Sequence, residues 1–134
     1  MAKRKRDIRI RTYGIYTKWD SDSKNLPKVA EITTSVRAVV DVEFGFVASI
    51  RGAKNERLEY RIDHPGILDA EGNRRPPFDG VVYVKTNDWN FYLGDTIWEP
   101  IADKLGPWHM SIRLGGEVVA EKTFQLYNHE SLPG

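Results

Sequence analysis

The stretch Trp108-His109-Met110-Ser111-Ile112-Arg113-Leu114-Gly115-Gly116-Glu117-Val118-Val119-Ala120-Glu121-Lys122-Thr123-Phe124-Gln125-Leu126 decides the fold of this chain. Trp108, Met110, Ile112 and Leu114 point one way and His109, Ser111 and Arg113 the other, the period-two alternation of a half-buried strand. Val118, Ala120, Phe124 and Leu126 repeat the pattern beyond two glycines, with Lys122 breaking the run. Matching parities ask for an odd connection, and Leu114-Gly115-Gly116 supplies one with Gly116 left-handed. A two-residue Gly115-Gly116 turn followed by a bulge near Lys122 satisfies the same parities. Both describe two antiparallel strands joined by a tight turn.

The same alternation extends upstream. Leu58, Tyr60 and Ile62 alternate with Arg57, Glu59, Arg61 and Asp63, and share even parity with Phe46, Ala48 and Ile50. Ala53-Lys54-Asn55 is expected to close them as a three-residue hairpin loop, with Asn55 left-handed. The alternation that ends at Ile50 begins at Ala30, too long for one strand. A break is expected near Ala38–Asp41, or a helical turn across 36–41. Ile8-Arg9-Ile10-Arg11 alternates, and then the apolar parity moves to Tyr13 and Ile15, for which a bulge at Gly14 is expected. Val81 to Val84, and Trp89, Phe91 and Leu93, add further strands. Residues 17–28 and 64–80 read as loops, the second punctuated by Pro65, Gly66, Gly72, Pro76, Pro77 and Gly80. The segment holding Ile97, Trp98, Pro100 and Ile101 is irregular. About seven or eight strands result, with no helix of ordinary length, the pattern of an all-β, two-sheet antiparallel sandwich.

Composition bounds the function. The 134 residues fit one domain, and 40% apolar with 29% charged residues suit a packed core under a soluble surface. The absence of cysteine excludes disulfides, thiolate catalysis and Cys-based zinc sites. Residues 1–11 hold six Lys/Arg and one Asp, whereas the remainder holds 14 Lys/Arg and 18 Asp/Glu. A basic tail (1–6) therefore precedes a mildly acidic domain (7–127), and 128–134 are expected to fray. No apolar region follows the basic start and no apolar run spans a bilayer, so a cytoplasmic location without a membrane partner is expected.

Short motifs recur through the chain: Tyr13-Gly14-Ile15-Tyr16, Phe44-Gly45-Phe46, His64-Pro65, Leu105-Gly106-Pro107-Trp108, Gly115-Gly116-Glu117 and Ala120-Glu121-Lys122-Thr123-Phe124. Together, over about residues 8–127, they resemble the bacterial family known as domain of unknown function 3859. The resemblance implies an immunoglobulin-like β fold in a bacterial protein. It implies no established activity, so no functional residue is carried over.

Candidate sites are few. Asp63, His64, Asp69, Glu71 and Asp79 cluster in the 63–79 segment and could serve a small metal-dependent enzyme. Their spacing matches no EF-hand, and turn-making explains the Asp, Gly and Asn residues equally well. His64, His109 and His129 form no i, i+2 or i, i+4 pair, and no Ser sits in a Gly-x-Ser-x-Gly elbow. Lys3-Arg4-Lys5-Arg6 lacks interleaved aromatics, so nucleic acid is not an expected partner. Trp19 and Trp89 have polar neighbours and could stack on sugars as a carbohydrate-binding module does, or anchor a protein. The bland alternative has Trp89 and Trp108 filling the core from opposite sheets while Trp98 caps one end. The expectation is a non-enzymatic interaction module without a cofactor, binding a protein partner or a second copy through an edge strand. Trp19, His64 and Trp89 mark its candidate surface.

Overall fold

The computed structural model describes residues 6–17 and 26–128. Nine strands are present among them: β1 (Asp7–Tyr16), β2 (Val29–Glu31), β3 (Ser35–Arg37), β4 (Glu43–Arg51), β5 (Arg57–Asp63), β6 (Phe78–Tyr83), β7 (Asp88–Thr96), β8 (Gly106–Leu114) and β9 (Glu117–Tyr127). One turn of 3-10 helix covers Ala102–Lys104. The strands form a four-stranded sheet in the order β2-β1-β4-β7 and a five-stranded sheet in the order β3-β9-β8-β5-β6. All pairings are antiparallel except β3 with β9, which is parallel.

The sheets meet face to face on the alternating residues. Phe44 of β4 meets Trp108 of β8 edge-on at 5.2 Å and Phe124 of β9 at 5.7 Å. Tyr60 of β5 meets Phe91 of β7 at 5.9 Å. Phe46, Ala48, Ile50, Leu58, Met110, Ile112, Leu114 and Leu126 are buried between them. Burying a side chain of this kind contributes about 1.5–3 kcal/mol, so this layer supplies most of the driving force. Lys122, opposite Met110 on the inward parity, escapes burial by laying its ammonium on the Tyr13 ring at 3.9 Å.

Four local expectations need correction. Gly115 and Gly116 form a two-residue turn, both left-handed, with Leu114 opposite Glu117. The compensating bulge falls at Val119, between the pairs Ile112–Ala120 and Arg113–Val118, rather than at Lys122. The parity change in β1 comes from a bulge at Arg11, since Ile10 pairs with Ala48 and Thr12 with Val47. Gly14 stays in register, opposite Gly45. Ala53–Asn55 is not a hairpin loop. It carries the chain from β4 in one sheet to β5 in the other, with Asn55 left-handed as its position demands. Matched parity arose because both strands face one core, a condition that an inter-sheet arch satisfies as well as a hairpin does. Finally, 30–50 breaks near Ala38–Asp41 as expected and without a helix, but also a second time at 32–34. Residues 32–34 pass from one sheet to the other, and Asp41 turns at φ 75° before β4.

Gly14, Gly45 and Gly94 lie in one row across β1, β4 and β7. A Cβ on Gly45 would sit 2.2 Å from the Leu93 carbonyl oxygen, and one on Gly94 would sit 2.2 Å from the Tyr92 hydroxyl. On the side of this sheet away from the sandwich core, Tyr16 and Tyr92 meet at 5.1 Å and pack with Val47. The Glu43 carboxylate accepts hydrogen bonds from the Tyr92 and Thr96 hydroxyls. Burial, reinforced by the Glu43 charge, pushes the Tyr92 hydroxyl well above its ordinary pKa. On the inward parity of β7, Asp95 is pushed up to about 6 by burial, with the Glu43 charge adding to the rise and the Thr96 amide and Lys104 opposing it.

Gly45→Ala should cost about 3 kcal/mol or more, because backbone on the neighbouring strand must move. Gly72→Ala, where a Cβ meets nothing within 4 Å, should cost only about 1 kcal/mol of left-handed strain. Urea unfolding of both variants measures the contrast. Asp95 gives a pH-dependent counterpart. Its folded pKa lies above the ordinary 3.8, so wild-type stability falls as pH rises from about 4 to about 6. Asp95→Asn should therefore melt higher than wild type at pH 8 and equally at pH 4, as thermal scans at the two pH values will show.

Candidate functional site

His64 and Trp89, two of the three residues singled out from the sequence, do not share one surface. Trp19 lies outside the described residues, as does His129. His64, just past β5, is 2% exposed. Its Nδ1 accepts the Ile67 amide at 3.0 Å, and its Nε2 donates to the Pro76 carbonyl at 3.2 Å. Those bonds select the Nε2–H tautomer and leave no ring nitrogen for a metal or substrate. The ring packs 5.0 Å from Phe78 and 6.4 Å from Trp108. Trp89 is half-buried, tilted on Phe91 at 5.5 Å and opposite Ile50 on β4. His64 reaches β4 through Trp108 and Phe44, six residues along the strand from Ile50. At about 3.4 Å per residue the two sites are roughly 20 Å apart.

The aspartates of the 63–79 segment are occupied by the fold, while Glu71 is exposed. Asp63 pairs with Arg74 at 3.4 Å, and Arg74 also donates to the His64 carbonyl at 2.7 Å. Asp69 accepts the amides of Glu71 and Asn73 at 3.0 and 2.9 Å, closing its own turn. Asp79 takes both ends of the Arg61 guanidinium at 2.7 and 3.1 Å. Among the described residues no group of three or more His, Cys, Asp or Glu is placed to hold a metal ion. The segment also gives up its last residues to β6, which begins at Phe78 and includes Gly80.

A different surface emerges on the outer side of the five-stranded sheet. A shallow cleft of about 400 Å³ crosses β8, β5 and β6, lined chiefly by Arg57, Arg61, Arg113, Ser111, Asp79 and Val81. Strand alternation builds it. Odd-numbered residues of β5 and β6 face outward, and Glu59 stands between Arg113 of β8 and Val81 of β6. None of the lining residues is His or Cys, and Asp79 and Glu59 are both engaged by arginines. The cleft thus offers charge and hydrogen bonds without an evident acid–base pair.

The rim of this cleft is the open edge of the sheet. Among the described residues β6 pairs with β5 alone. The Val84 amide donates to the Glu56 carbonyl at 3.0 Å, extending the β5–β6 register by one pair. In an antiparallel ladder alternate residues turn their N–H and C=O to the same neighbour. Val82, Gly80 and Phe78 therefore face β5, while Asp79, Val81 and Tyr83 present theirs to the free edge. Val81 and Tyr83 are also exposed as side chains, at 43% and 62%. In the sequence, 81–84 could be seen as a strand. Its place at an edge could not, because that depends on which strand lies beyond it.

An immunoglobulin-like protein from Pseudomonas aeruginosa has a crystal structure that superposes with a TM-score of 0.70, at 23% sequence identity, covering 90% of this chain and 97% of that one. A Pseudomonas fluorescens alkylpurine DNA glycosylase, AlkC, bound to DNA containing an abasic site analog, matches at a TM-score of 0.41 and 11% identity, covering 89% of this chain and 30% of that one. No curated protein matches the sequence. The model of the family described as "Domain of unknown function (DUF3859)" matches residues 4–126, nearly the whole of the immunoglobulin-like sandwich, and the chain belongs to that family.

Proposed function

We propose that this chain is a non-enzymatic protein-interaction module that recruits an extended strand onto β6. The observation that carries this reading is the unprotected β6 edge beside the arginine-lined cleft. Edge strands in stable monomers are blunted by shortness, by Lys or Pro, or by charges turned inward. β2 and β3 are only three residues each, and the lengths of β1 and β9 that they leave uncovered are each interrupted by a bulge, at Arg11 and at Val119. β7 is long, but Asp88 stands at its start and Asp95 sits on its inward parity. β6 has six residues, no Lys, no Pro and an exposed Val81 and Tyr83. Its one charge, Asp79, is neutralised by Arg61. Backbone hydrogen bonds would supply affinity and the outward side chains the selectivity.

Titrating isotope-labelled protein with an extended octapeptide of alternating Val and Thr tests the reading. Amide shifts should concentrate on residues 78–83. Shifts centred on 88–96, or none at millimolar peptide, would overturn it.

A further inference from the structure

We infer that the strand recruited by β6 is β6 of a second copy, paired antiparallel about a twofold axis that passes through Val81. This rests on the strand-recruitment reading and names its partner. A twofold axis normal to the sheet keeps each outer face outward, so residues that meet must share parity. The free hydrogen-bonding groups belong to Asp79, Val81 and Tyr83, so these must meet one another. Centring on Val81 pairs Val81 with itself and Asp79 with Tyr83 on both sides, using every free N–H and C=O from 79 to 83. That makes about six backbone hydrogen bonds. Centring on Gly80 puts Tyr83 opposite Pro77, which has no N–H to give. Centring on Val82 sends Asp79 opposite Lys85, beyond the end of the strand at Tyr83. Centring on Asp79 sets two carboxylates face to face.

Charge complementarity supports the same register. Arg57 pairs across β5–β6 with Tyr83, and Arg61 with Asp79. Across the axis the two rows that flank the centre then read Arg57, Tyr83, the second copy's Asp79 and its Arg61. Each Asp79 carboxylate lies between a phenol hydroxyl and a guanidinium, and no like charges oppose. The two exposed Val81 side chains cover each other at the centre. Both clefts finish on one side of a continuous ten-stranded sheet.

The chain has no cysteine, so introduced thiols report the register cleanly. Under mild oxidation Val81→Cys should give a covalent dimer, whereas Val118→Cys, on an exposed position of β9, should not. Asp79→Cys and Tyr83→Cys should each give no covalent dimer alone and a disulfide-linked heterodimer when mixed. In sedimentation, Val81→Lys should weaken dimerisation of the otherwise unmodified chain by about tenfold or more, through two ammonium groups on the axis, with an unchanged thermal melt at concentrations where both proteins are monomeric. Val81→Cys crosslinking no faster than Val118→Cys would overturn the self-pairing. If the octapeptide still shifted residues 78–83 in that case, strand recruitment would stand with a different partner. If it did not, both readings would fail together.

Discussion

The structure depends on one buried tryptophan. Trp108 has no exposed surface, and its indole N–H must find an acceptor inside the protein. It donates to the Lys104 carbonyl at 2.8 Å, which pins the 3-10 turn over the end of the sandwich. That turn brings in Lys104, whose ammonium is itself buried and needs partners. The Pro100 carbonyl and the Asp103 carboxylate provide them at 2.7 Å each, and the Trp98 ring lies 4.4 Å from the charge. Asp103 in turn accepts the Leu68 amide, so the 64–77 loop is fastened to the same point. His64 also packs against the indole. Two long irregular segments thus owe their shape to one side chain from β8.

This explains the split between what the sequence disclosed and what it hid. Inward parity was legible wherever a strand had one face in the core: Phe44, Phe46, Ala48 and Ile50, Leu58 and Ile62, Trp108 to Leu114. Residue type alone made Asn55 left-handed and Gly115-Gly116 a turn. Trp89 and Trp108 do enter from opposite sheets, and Trp98 does sit at one end against Trp108, at 6.5 Å. Parity, however, carries no information about which sheet a strand joins. Ala53–Asn55 therefore passed for a hairpin loop although it is an arch. The bulges at Arg11 and Val119 were displaced for a related reason, since the pattern shows that one residue is extra but not which residue is left unpaired.

The candidate surface was harder still. Trp89 and His64 invite attention because their residue types carry chemistry, yet both are held by packing or hydrogen bonds within the fold. The cleft and the β6 edge use ordinary residues whose interest comes only from their neighbours. Arg57, Arg61 and Arg113 belong to two strands that are 43 or more residues apart in the chain. The family's short motifs point elsewhere: Gly14 and Gly45 stand where a methyl group would strike a neighbouring strand's backbone. Those motifs record packing, and leave the surface free to differ.

The parallel pairing of β3 with β9 has a consequence for assembly of the fold. Ser35, Val36 and Arg37 find their partners in Gln125, Leu126 and Tyr127, ninety residues later. During synthesis β1 can pair with β4 once about fifty residues have left the ribosome, but β3 waits for the whole domain to emerge. Contacts of such long sequence separation are slow to form because the intervening chain must be ordered first. Val36, fully buried at the end, stays exposed through that interval. The ladder that seals one margin of the five-stranded sheet is thus the last step of a vectorial process, and premature release of the nascent chain would leave that margin open.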